Sequence, residues 1–87
     1  MLVEVSKNDI EIGIPKHETK CPIARAVKRK SHKDCAVGQN AIQIYQNEDC
    51  VRELALPKNA QQFIIRFDSG KRVKPFSFKT EKGRKFC

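Results

Sequence analysis

Pro57 and Gly70 bracket a segment in which Ala60, Phe63, Ile64 and Phe67 fall at i, i+3, i+4 and i+7. That spacing lines one face of an α-helix. Proline is tolerated in the first turn, and glycine takes the left-handed conformation that ends a helix. The next stretch, Val73-Lys74-Pro75-Phe76-Ser77-Phe78, alternates Phe76 and Phe78 with Ser77, the period-two pattern of a half-buried strand. Pro75 has no N–H to give to a ladder, so this is an edge strand or one that begins after the proline. A core must therefore form in which Phe63, Ile64, Phe67, Phe76 and Phe78 come together.

Upstream signals are weaker but consistent. Leu2 to Val5 reads as a short strand with Val3 and Val5 on one face. Ser6 and Asp9 then form a short version of the capping box, opening a helix of one or two turns through Ile10. Gly13 reads as its left-handed terminator, ahead of the break at Ile14-Pro15. Cys21-Pro22 announces a second helix with Cys21 at the N-cap. Ile23, Ala24 and Val27 make a narrow apolar stripe on it. Ala41 to Tyr45 and Val51 to Leu56 alternate as strands around the polar turn Gln46-Asn47-Glu48-Asp49, which predicts a hairpin.

The resulting order, β-α-α-β-β-α-β, defines an α+β domain with a sheet of about four strands and two main helices. With the first two helices merged it is the β-α-β-β-α-β succession of ferredoxin-like folds, and a looser sheet with helices on one face fits equally well. Eighty-seven residues make one domain, able to bury roughly 60–65% of the unfolded chain's surface. We assign residues 1–80 to it and residues 81–87 to a frayed basic tail. No apolar run is long enough to span a bilayer, and the N-terminus lacks the pattern of a secretory signal. Four cysteines without regular spacing read as reduced thiols of a cytoplasmic protein rather than a secreted disulfide framework.

Charge is the other strong signal. Eighteen Lys and Arg against ten Asp and Glu give +8, a field that attracts polyanions. Two clusters carry it. One, on and just after the second helix, holds Arg25, Lys28, Arg29, Lys30 and Lys33. The other holds Lys71, Arg72 and Lys74, with Lys79, Lys82, Arg84 and Lys85 beyond them. Gathered on one side, they would track a phosphate backbone. Sequence-specific readout is unsupported: the aromatic strand of RNA-recognition domains is missing, and Tyr45 is the one candidate for an exposed stacking ring.

Two constellations could carry chemistry. His17, Cys21, His32 and Cys35 offer two imidazoles and two thiols, a complete tetrahedral zinc set, but in an order unlike common zinc modules. Against it, a helix starting at Pro22 separates the pairs, and His17 and His32 then read as loop residues with Cys35 a small core residue. Cys21, at a helix N-terminus beside Lys20, could be an activated nucleophile, yet no phosphate loop or oxyanion cradle accompanies it. The remaining enzyme motifs are absent, and we expect no catalysis and no cofactor.

The segments Asp9-Ile10-x-x-Gly13, Cys21-Pro22-Ile23-Ala24-x-Ala26 and Leu56-Pro57-x-x-Ala60-x-x-Phe63-Ile64-x-x-Phe67-Asp68-x-Gly70-x-x-Val73-x-Pro75-Phe76-x-Phe78 resemble a group of small bacteriophage and prophage proteins without assigned activity. The likeness runs from Asp9 to Phe78. It implies a phage accessory protein in a bacterial host cytoplasm, though this chain is more basic than the group and residues 81–87 look like an addition. The expected function is binding of nucleic acid or a nucleoprotein through Arg25, Lys28, Arg29, Lys30, Lys71, Arg72 and Lys74. The alternatives are a protein-binding inhibitor or adaptor, such as an anti-defence (anti-CRISPR-like) factor meeting an acidic protein partner, and a small zinc-stabilised module. No membrane or small-molecule partner is expected.

Overall fold

The computed structural model describes residues 2–80, and the tail expected at 81–87 lies outside the described residues. The chain is α+β, as its periodicities indicate. It runs β1 (Leu2–Val5), α1 (Lys7–Ile12), α2 (Pro22–Ser31), β2 (Asp34–Val37), β3 (Ala41–Gln46), β4 (Asp49–Ala55), α3 (Lys58–Asp68) and β5 (Phe76–Lys79). The strands do not join into the single sheet expected. β1 and β5 form one antiparallel pair, and β2, β3 and β4 form a separate antiparallel sheet in that order. The β1–β5 pair is compatible with a ferredoxin-like succession, but among the described residues no ladder links it to the other sheet.

β2 was not legible in the sequence. It is four residues long, with Cys35 and Val37 inward, too short a pattern to announce itself. It exists because β3 offers an edge: Cys35 lies opposite Ile44, and Val37 opposite Ile42. The β3–β4 hairpin closes through Asn47 and Glu48, both at positive φ (53° and 72°), the turn that matches the twist of paired strands.

α2 lies between the two sheets, contacting β1 and β2. Ile23, Ala24, Ala26 and Val27 are all buried, a wider face than the stripe expected, because the helix is covered on both sides. Val3, Val5, Ile42, Ile44, Leu54, Leu56 and Phe78 complete the core around it. α3 packs at the margin. Ala60 and Phe63 are buried, whereas Ile64, Phe67 and Phe76, expected inside, are half-buried against the core surface.

The helix ends explain three sequence signals. Ser6 Oγ accepts from the Asp9 N–H (3.2 Å) and Asp9 Oδ2 accepts from the Ser6 N–H (2.9 Å), completing the capping box. Cys21 caps α2 by accepting from the Ala24 N–H at 3.4 Å. Gly70 (φ 77°) closes α3 in a Schellman arrangement: the Lys71 N–H reaches the Arg66 carbonyl and the Gly70 N–H that of Phe67. Gly13 serves differently from expectation. Its backbone is extended, φ −59° and ψ 147°, and a Cβ there would sit 2.6 Å from both the Asp9 carbonyl and the Pro22 ring. Glycine is required by the close approach of α1 to α2, not by a left-handed turn.

Candidate functional site

The two basic clusters have different fates. Asp9, with no exposed surface, collects the first. Arg29 donates to both its oxygens at 2.8 Å and also to the Glu4 carbonyl. The Arg25 Nε lies 3.6 Å from the same carboxylate, buried and without a hydrogen bond. Burial alone would raise the Asp9 pKa, but the Arg29 hydrogen bonds and those of Ser6 outweigh it and hold the carboxyl below its usual value. Lys28 pairs with Asp34 at 3.2 Å, both side chains well exposed. Lys28, Arg29 and Lys30 also occupy the last turn of α2, where the helix dipole favours cations. Of the four α2 cations, Lys30 alone has no acidic partner among the described residues.

The second cluster is arranged otherwise. The Schellman turn at Gly70 reverses the chain, so that residues 71–75 run back along α3 toward β5. Arg72 and Lys74 thereby share a groove with Arg66 of α3. Its floor is Phe63, Val73 and Phe76, and Asn59 and Gln62 complete its lining. The volume is about 530 Å³, within the ordinary range for ligand sites. No acid lines it, and Arg66, Lys71, Arg72 and Lys74 are exposed without ion pairs among the described residues. α3 has Pro57 as its N-cap, no side-chain cap from it and no acid in its first turn, though Asn59 Oδ1 accepts from the Ala60 N–H at 3.0 Å.

The floor is rigid. Phe63 and Phe76 stand 4.7 Å apart, Phe76 and Phe78 5.7 Å, Phe63 and Phe67 6.0 Å, a continuous aromatic row from α3 to β5. Asn59 ties the same elements together by donating to the Ser77 carbonyl.

The residues weighed for chemistry are engaged elsewhere. Cys35 donates its thiol to the Ala24 carbonyl at 3.2 Å, and burial pushes its pKa up to about 11. Burial likewise raises Cys21, opposite to the shift an activated nucleophile needs. His17 Nδ1 accepts from the amides of Thr19 and Lys20, and His32 is the exposed, left-handed C-cap of α2. No group of three or more His, Cys, Asp or Glu side chains able to hold a metal occurs among the described residues. Tyr45 is half-buried, its hydroxyl donating to Gln43. A smaller cavity of about 160 Å³ lies under the 13–21 loop beside Cys21, Ile23 and Phe67. That loop is held by the Lys16 N–H on Asp68 and the Val37 N–H on the Glu18 carbonyl.

No family model, curated protein or solved structure matches the chain.

Arg72 and Lys74, named from the sequence, are exposed and line this groove, while Arg66, Asn59 and Gln62, which line it with them, were not singled out in the sequence. Arg66 lies on the polar side of the helix pattern, where a cation reads as solvation. Only the chain reversal at Gly70 brings it beside Arg72. No helix among the described residues is long and apolar enough to cross a membrane.

Proposed function

We propose that the protein binds a polyanionic macromolecule, nucleic acid or nucleoprotein, and acts by binding rather than catalysis. The observation that carries this reading is the α3–β5 groove, where Arg66, Arg72 and Lys74 converge without a single lining acid. Lys71, next in sequence to Arg72 and exposed, adds to the field. Arg25 and Arg29, counted in the sequence as binding residues, pair with Asp9, and Lys28 pairs with Asp34 at the surface. The binding surface is therefore smaller than the charge total suggests. The setting that accompanies this reading is a bacterial host cytoplasm and a phage accessory role, as the sequence resemblance implies.

Fluorescence anisotropy with labelled duplex DNA at several salt concentrations tests it. Four to five phosphate contacts predict a log–log salt slope of about −4. No binding at low salt ends the proposal.

A further inference from the structure

We infer that the ligand of the α3–β5 groove is an unpaired nucleic acid strand, whose phosphates meet Arg66, Arg72 and Lys74 while a base lies against the partly exposed Val73 and Phe76 of the floor. This rests on the polyanion reading and narrows it.

A purely electrostatic surface needs no apolar floor. Here rings form one, and its central member, Phe76, is half-buried rather than enclosed. In a duplex the bases are stacked inside, and only phosphates and groove edges reach a protein surface of this shape. The floor then gains nothing. An unpaired strand has base faces to offer, and such contacts are tolerant of sequence because every base has one. Gln62 is exposed and its amide has no partner among the described residues, so a donor and an acceptor stand ready for a base edge. The groove lies between α3 and residues 72–76, and its volume of about 530 Å³ has room for more than one inserted side chain. An acidic peptide would satisfy the cations but would lack a planar apolar face at each charge.

The arrangement also separates rigid from adaptable parts. Phe76 packs against Phe63 at 4.7 Å and Phe78 at 5.7 Å and keeps part of its surface exposed, so the part a base would meet is already ordered before binding. The cations above it are solvent-exposed and free to follow a backbone. A weak sequence preference and a marked salt dependence go together in such a surface.

The test compares four labelled probes by anisotropy at one salt concentration. They are an oligothymidylate of about a dozen nucleotides, matched to the site sizes of single-strand binders, an abasic strand of equal length, a duplex of equal length, and a glutamate-rich peptide of equal charge. We expect the oligothymidylate to bind about tenfold more tightly than the abasic strand, the range of one base–aromatic contact, and more tightly than the duplex or peptide. Gln62→Ala should narrow the gap between normal and abasic strands, whereas Arg72→Ala should weaken both alike. Equal binding of normal and abasic strands, or a preference for duplex, overturns the single-strand inference while leaving polyanion binding standing. A preference for the peptide also overturns it. Failure of every probe to bind overturns both.

Discussion

Arg29→Ala probes the polar centre of the fold. It removes two guanidinium hydrogen bonds of 2.8 Å from Asp9, a carboxylate with no exposed surface, and one to the Glu4 carbonyl. Deleting one partner of a fully buried ion pair costs about 3–5 kcal/mol, because the other charge is stranded. Two features reduce that here: the Arg29 side chain is 53% exposed, and Arg25 remains 3.6 Å from Asp9. We expect a loss of about 2–3 kcal/mol. For a domain of this size that lowers Tm by about 10–20 °C. Urea unfolding followed by far-UV circular dichroism, repeated from neutral to acid pH, measures it. In the wild type the folded pKa of Asp9 lies below its unfolded value. Its ionised form therefore stabilises the fold above the ordinary carboxylate range, and that contribution is lost as pH falls through the folded value. In the variant burial remains while the Arg29 hydrogen bonds are gone, so the folded pKa moves up. The deficit of the variant should be widest near neutrality and narrow in acid. A deficit under about 0.5 kcal/mol, or one independent of pH, refutes the reasoning. Arg29→Lys should fall between, since an ammonium cannot reproduce the bidentate contact.

Other expectations follow from single positions. Gly70→Ala places a side chain at φ 77°, costing about 1 kcal/mol in urea unfolding and weakening ligand binding, because the turn positions Arg72 against Arg66. Glu48→Gly relieves a positive φ of 72° in the β3–β4 turn and should stabilise by about 0.5–1 kcal/mol by the same measurement. The Cys35 thiol, held up at about 11 by burial, stabilises the fold most below the ordinary thiol range, and this is lost as pH rises through its folded value. Cys35→Ala should therefore flatten the alkaline limb of the stability profile, read by urea titrations at alkaline pH, although it costs packing at all pH values. Arg72→Glu with Lys74→Glu should leave stability within about 0.5 kcal/mol and reduce anisotropy-measured affinity at least about tenfold.

Local signals proved reliable wherever neighbours in sequence are also neighbours in space. Ser6–Asp9, Cys21-Pro22 and Gly70 mark helix ends whose hydrogen bonds close within a few residues, and each is where the pattern puts it. The start of β5 after Pro75 follows from a missing N–H. Gly13 shows the limit of such reasoning. The residue type is required, but the reason is Pro22, nine positions away, which no local rule consults.

Charge was legible as a total and illegible as a surface. Arg25 and Arg29 look like solvent-facing cations along a helix, and nothing in their neighbourhood announces a carboxylate. Asp9 sits 20 residues before Arg29, already employed in a capping box, and becomes its partner only when α1 folds onto α2. Composition and periodicity determined that this chain is an α+β domain, where its helices end, and that it carries excess positive charge. Tertiary structure decided that β1 leaves the main sheet to pair with β5, which cations are consumed in holding helices together, and which remain free. The physical reason is range. Backbone capping and hydrophobic alternation act over one or two turns, whereas ion pairing and groove formation depend on which distant segments the core brings into contact.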